Sequence, residues 1–128
     1  MPRKSFTAKG AVAIGPYSHA VQTGNLLYLS GQTPIDPKTG KLVEGDIGAQ
    51  TKQCFENLFN VLAAADLTPD HVIKVNVFLT NMQDFSEMNA VYQQQFTEPY
   101  PSRTTIGVAE LPLGAKVEIE MIAEIEKQ

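Results

Sequence analysis

Between Lys116 and Glu126 the chain alternates strictly: Val117, Ile119, Met121, Ala123 and Ile125 fall on odd positions, and Glu118, Glu120, Ile122, Glu124 and Glu126 on even ones. A repeat of two belongs to extended chain, whose successive side chains point to opposite faces of a sheet. The segment is therefore a strand with an apolar side that needs a core and a second side crowded with carboxylates. Whatever else the chain contains must cover the first side and tolerate the second.

The covering elements are legible upstream. Asp46 is placed to cap a helix running to about Ala65, with Ile47, Cys54, Phe55, Leu58, Val61, Leu62 and Ala65 along one stripe. Asp84 is placed to cap a second, Phe85 to about Phe96, whose apolar side is Phe85, Met88, Tyr92 and Phe96. Pro99-Tyr100-Pro101 ends it, because proline disfavours a helical residue before it.

The strands follow from local chemistry too. Ala20 to Thr23 and Leu26 to Ser30 flank Gly24-Asn25, a pair suited to a tight hairpin turn. Asp36-Pro37-Lys38-Thr39-Gly40 is turn chemistry, and Thr68-Pro69-Asp70 reads as a short capped turn. Val72 to Thr80 is rich in β-branched residues, with Val75, Val77 and Leu79 on one face, and Arg103 to Ala109 reads as a further strand.

Strand, strand, helix, strand, helix, strand, strand implies an α+β fold: a mixed, mostly antiparallel sheet with two helices packed on one face. Two helices cover only one side of such a sheet. The other carries apolar residues among carboxylates, and its expected cover is further copies of the chain. With 128 residues, 43% apolar and 19% charged, residues 1–128 are read as a single domain.

A net charge of −4 and a pI near 5.1 argue against nucleic acid or an anionic membrane as the main partner. The longest apolar run, Val61 to Ala65, is far below the roughly twenty residues a span requires. Cys54 is the single cysteine, which excludes an intramolecular disulfide and fits a reducing, cytoplasmic compartment. The start Met1-Pro2-Arg3-Lys4-Ser5-Phe6 has no apolar stretch behind its basic residues and does not read as a secretory signal.

The familiar catalytic signatures are missing: no nucleophile elbow, no phosphate-cradling loop, no dinucleotide fingerprint, no zinc spacing. His19 and His71, the two histidines, read as structural or surface groups, and Cys54 as a buried small hydrophobe. Tyr92 reads as core. Arg103, just after Pro101, is either half of a structural ion pair or a two-toothed holder of a carboxylate. Glu118 is either one more solvated acid or a group that reaches Arg103's pocket from a neighbouring strand. Gly15-Pro16-Tyr17-Ser18 and Leu29-Ser30-Gly31-Gln32 add a phenol, hydroxyls and a glycine that permits close approach, and Asn89 is a polar group near the apolar side of its helix.

Taken together, Ala13-Ile14-Gly15-Pro16-Tyr17-Ser18, Ser30-Gly31-Gln32, Val75-Asn76-Val77-Phe78-Leu79, Met88-Asn89-Ala90-Val91-Tyr92, Tyr100-Pro101-Ser102-Arg103, Leu111-Pro112 and Val117-Glu118-Ile119-Glu120 resemble, in order, the Rid family of reactive intermediate deaminases, RidA subgroup. The resemblance implies a chorismate-mutase-like fold assembled as a homotrimer around a central barrel, with sites between subunits. It implies hydrolysis of a small enamine or imine acid such as 2-aminoacrylate to a 2-keto acid and ammonia, with no metal or organic cofactor. It assigns Arg103 to the substrate carboxylate, Glu118 to the attacking water, and Tyr17, Ser30, Gly31 and Asn89 to the lining of the cleft. Thr105 stands where many relatives have cysteine, which leaves a backbone contact as its implied role. A non-catalytic trimer that binds small carboxylates is the rival reading, and a translation-inhibitor-type ribonuclease a weaker one.

Overall fold

The computed structural model describes residues 3–8 and 15–126, so Met1 and Pro2 of the N-terminal reading, and Ala13 and Ile14 of the first motif, lie outside the described residues. Among the described residues eight strands and two α-helices follow in chain order: β1 (Lys4–Phe6), β2 (Ala20–Thr23), β3 (Leu26–Gln32), β4 (Ile35–Asp36), β5 (Lys41–Leu42), α1 (Ile47–Ala64), β6 (Val72–Leu79), α2 (Phe85–Gln95), β7 (Ser102–Gly107) and β8 (Val117–Glu124). Six of the strands form one sheet in the order β1-β2-β3-β8-β6-β7, in which only β6 and β7 run parallel. The expected mixed, mostly antiparallel sheet with two helices is what forms.

The alternating strand, β8, lies between β3 and β6. Val117, Ile119, Met121 and Ala123 are buried, as are Val75, Val77 and Leu79 of β6 and Leu27 and Leu29 of β3. Over them lie Phe55, Leu58 and Leu62 of α1, with Met88 and Tyr92 of α2. The helices interlock through aromatic rings: Phe55 meets Tyr92 and Phe96 edge-on, with centroids 5.6 and 5.7 Å apart.

Local chemistry accounts for the ends of α1. The Asp46 carboxylate accepts from the Ala49 N–H at 3.0 Å, which holds that carboxyl below its usual range. Glu87 of α2 accepts from the Gly48 N–H at 3.1 Å, so a second acid sits against the positive end of the helix. At the other end Asp66 takes the left-handed conformation with φ of 59°. The Leu67 N–H then reaches back to the Leu62 carbonyl and the Asp66 N–H to that of Ala63, a Schellman closure that turns the chain toward β6.

Three details depart from the sequence reading. β1 adds an edge strand, and the Asp36–Gly40 turn carries a small hairpin, β4–β5. Asp84 does not cap α2: its backbone is already helical and its side chain makes no cap bond. Asn81 does that work one turn earlier, accepting from the Gln83 N–H at 2.9 Å and opening a 3₁₀ turn, Met82–Asp84, that runs into the helix.

Phe55 is wholly buried and touches Phe59, Tyr92 and Phe96. Phe55→Ala is expected to cost about 3–5 kcal/mol in denaturant unfolding; a loss under about 1 kcal/mol would show that this aromatic contact does not hold the helices together.

Candidate functional site

All of the site residues singled out from the sequence except Thr105 fall into two clefts on opposite sides of the sheet. On the side the helices leave open, Glu118 and Glu120 project from β8 and form one wall of a cleft of about 430 Å³. Tyr17, Ser30, Gly31, Gln32, Thr33 and Pro112 complete much of the rest. The approach of β3 comes from a bulge: Leu29 faces Met121 and Gln32 faces Ile119, so three steps along β3 match two along β8. The extra residue falls in Ser30-Gly31 and re-aims the strand, as bulges do beside functional sites.

Glycine at position 31 leaves room for the Glu118 carboxylate, since a Cβ there would lie 2.8 Å from Glu118 Oε2 and 3.0 Å from its Cδ and would displace it. Ser30 is fixed by its hydroxyl, which donates to the Ser18 carbonyl at 2.7 Å. Tyr17 is 41% exposed, its ring edge-on to that of His19. The wall at Thr33 and Ile35 is pinned to α1, because the Asn57 amide donates to both of their carbonyls.

Glu118 is half-buried, and its carboxyl is pushed up from the ordinary range, first by burial and second by the charge of Glu120. Glu120 is itself oriented by Asn76 on β6, whose amide donates to its Oε2 at 2.9 Å. Cys54 lies across the core with Sγ 3.8 Å from the Val117 carbonyl, and burial pushes its thiol well up, in keeping with an inert role.

The second cleft, of about 330 Å³, opens on the helix side at the β7 edge and is lined by Asn89, Tyr92, Gln93, Tyr100, Pro101 and Arg103. The parallel register places Arg103 beside Val75, hence on the face that α2 covers. Arg103 Nη1 donates to Asn89 Oδ1 at 2.7 Å, and its guanidinium lies 4.5 Å from the Tyr92 ring centre and 5.6 Å from that of Phe85. Among the described residues the ion pair is His71 with Glu126, and Arg103 has no carboxylate of its own. A part-buried cation held by an amide and aromatic rings, without an acid, is prepared for an anion from outside.

The sequence reading allowed Glu118 to reach Arg103's pocket from a neighbouring strand, and within one chain the structure corrects this. β6 separates β7 from β8, and the two side chains leave the sheet on opposite faces: Glu118 pairs with Phe78 and Arg103 with Val75. Two strand spacings, roughly 10 Å, and the sheet itself lie between them. Tyr17, Ser30 and Gly31 gather with Glu118, whereas Asn89 gathers with Arg103. Thr105 shares Arg103's face beside Val77, with a buried hydroxyl that makes no hydrogen bond, and lines neither cleft.

Sequence reasoning missed Tyr92, assigned to the core alone, and the pairing of Glu120 with Asn76. The signal for the first was present: Phe85, Asn89 and Tyr92 stand at helical spacing and converge on one guanidinium. For the second there was none, since the β6–β8 register is a long-range property.

A carboxyl that holds its proton more tightly folded than unfolded favours the folded state below its ordinary value of 4.5, and that contribution is lost as pH rises through the folded value. Glu120→Gln removes the smaller of the two causes. The Glu118 midpoint, followed by carboxyl carbon NMR, is expected to move down toward the ordinary value; an unchanged midpoint would show that Glu120 does not act on it.

Comparison with known proteins agrees over nearly the whole chain. Residues 7–125 match the family model described as Endoribonuclease L-PSP. A RutC family protein of Pyrococcus horikoshii is 48% identical over 118 residues, 92% of this chain and 94% of its own. A Dermatophagoides farinae protein named 2-iminobutanoate/2-iminopropanoate deaminase is 47% identical over 113 residues, 88% of each chain. The crystal structure of RidA from a Psychrobacter species superposes with a TM-score of 0.91 at 44% identity, covering 96% of this chain and 100% of that one. The motifs, the fold and these relatives together place the chain in the Endoribonuclease L-PSP family, which includes the RutC and Rid proteins.

Proposed function

We propose that the protein is an imine deaminase that hydrolyses 2-imino acids, and the enamines that tautomerise to them, to 2-keto acids and ammonia. One site is built from two copies of the chain in a homotrimer. The observation that carries this reading is Arg103, a part-buried cation in a cleft, oriented by Asn89 and lacking an acid. Support comes also from the relative named as such a deaminase. The open sheet face bears Tyr28 and Ile106, each nearly half exposed, which suits burial against another copy. A net charge of −4 disfavours the ribonuclease reading that the family's description suggests.

The chemistry asks little of the protein, because the imine carbon is already electrophilic. In one protomer Arg103 binds the substrate carboxylate by two parallel hydrogen bonds, and Asn89 keeps the guanidinium in place. From its partner, Glu118 takes a proton from water as the water oxygen bonds to the imine carbon, and the nitrogen gains that proton. The resulting carbinolamine gives its hydroxyl proton to Glu118, which passes it to the nitrogen as the carbonyl forms and the C–N bond breaks. Water has then supplied the ketone oxygen and two of the three hydrogens of the departing ammonia. Tyr17, Ser30 and Gly31 shape the Glu118 side of the site, and Thr105 offers its backbone beside Arg103.

The test generates 2-aminoacrylate with a serine dehydratase and follows its conversion to pyruvate. The protein is expected to accelerate the conversion, and Glu118→Gln to lose on the order of 10²- to 10⁴-fold. Arg103→Ala is expected to lose productive binding. Co-refolding Arg103→Ala with Glu118→Gln is expected to restore activity that neither has alone. A dead mixture of assembled chains would overturn the shared site, and binding without turnover in the wild type would favour a carboxylate sensor.

Gly31→Ala is expected to keep its melting temperature, because the group it meets is the movable end of Glu118, yet to lose on the order of 10²-fold in turnover through displacement of that carboxylate. Wild-type turnover in this variant would separate Glu118 from the chemistry.

A further inference from the structure

Arg103 is held in an unusual way for a surface-edge arginine. All three of its identified contacts come from one stripe of α2: Phe85, Asn89 and Tyr92 at positions i, i+4 and i+7. The Tyr92 ring lies against the guanidinium at 4.5 Å, and Asn89 takes Nη1 at 2.7 Å. Tyr92 is 6% exposed, and its buried hydroxyl has no hydrogen-bond partner. A phenol whose oxygen bonds to nothing contributes through its ring. The packing of Tyr92 against Phe55 and Phe96 fixes that ring in turn.

We propose that Tyr92, with Phe85, is a positioning residue that sets the plane of the Arg103 guanidinium, so that one in-plane edge is presented to a planar 2-imino or 2-oxo acid. With Nη1 engaged by Asn89 and the guanidinium carbon over the Tyr92 ring, the donors left for a ligand are chiefly Nη2 and Nε. That edge matches the two oxygens of a carboxylate. In a 2-imino acid the carboxylate is conjugated with the C=N bond, so the plane chosen for one is the plane of the other. The support from Tyr92 thereby favours one plane for the bound acid, and water must approach the imine carbon from above or below it. This inference rests on the deaminase reading for its ligand, but its statement about Arg103 stands without turnover.

Two readouts separate the inference from that reading. The first is nitrogen NMR of the Arg103 guanidinium, assigned with Arg103→Lys. The wild type is expected to show slowed rotation and resolved Nη signals. Tyr92→Phe, which keeps the ring and removes only the unpartnered hydroxyl, is expected to retain them, and Tyr92→Leu to collapse them. The half-buried Phe85→Leu gives a partial loss and serves where Tyr92→Leu does not fold. The second readout is calorimetric affinity for 2-oxobutanoate and the KM-against-kcat split in the coupled assay. Tyr92→Leu is expected to weaken affinity and raise KM by about tenfold, with kcat little changed. Unchanged Nη signals and KM in folded Tyr92→Leu and Phe85→Leu would overturn the positioning role. A wild type that shows the restrained guanidinium but neither binds 2-oxobutanoate nor turns over imine would leave the clamp standing and overturn the deaminase reading instead.

Discussion

The burial of one face of β8 governs the rest of this molecule. Val117, Ile119, Met121 and Ala123 go under the helices, and the period of two then leaves Glu118 and Glu120 no place but the opposite face. The same rule, carried through the antiparallel β6–β8 register and the parallel β6–β7 register, turns Arg103 toward α2. A shift of one residue in either pairing would put the acid and the cation on the same side. The partition between them is therefore a consequence of the hydrophobic core, and it makes a single copy of the chain unable to surround a small acid with both groups.

Each half of the proposed site is prepared by a different physical means. Glu118 is tuned by removal from water and by a neighbouring acid, with glycine at position 31 allowing the backbone of β3 to come against its carboxylate. Arg103 is tuned by geometry, with an amide on Nη1 and its guanidinium carbon over an aromatic ring. Neither half contains a strong nucleophile. An electrophilic imine carbon needs none, because the demand is for an oriented acid, a placed water and a group that can carry its proton.

Much of the fold was legible because it is local. The Gly24-Asn25 hairpin forms with Thr23 facing Leu26, the α1 stripe is buried nearly as its spacing implied, and the odd side of β8 is the core side. The Asn81 cap was obscured by Asp84, an equally good capping residue three positions on, because capping chemistry does not say where the first helical turn begins. The site was only half legible. Residue types pointed to Arg103, Glu118, Gly31 and Asn89 as groups of interest, but strand order decides which of them meet, and no periodicity reports that β6 lies between β7 and β8. Tyr92 was hidden for a related reason: a side chain that fills the core and supports a cation has the same spacing as one that only fills the core.

The central claim is that one site takes Arg103 from one copy of the chain and Glu118 from another. The most direct measurement is a crystal structure of the assembled protein with 2-oxobutanoate bound. The account predicts the ligand carboxylate on the Arg103 guanidinium of one protomer, in the plane set by Tyr92, with Glu118 of a second protomer facing the carbonyl carbon. A ligand bound to Arg103 with no second protomer nearby, or one seated against Glu118 and far from any Arg103, would contradict it.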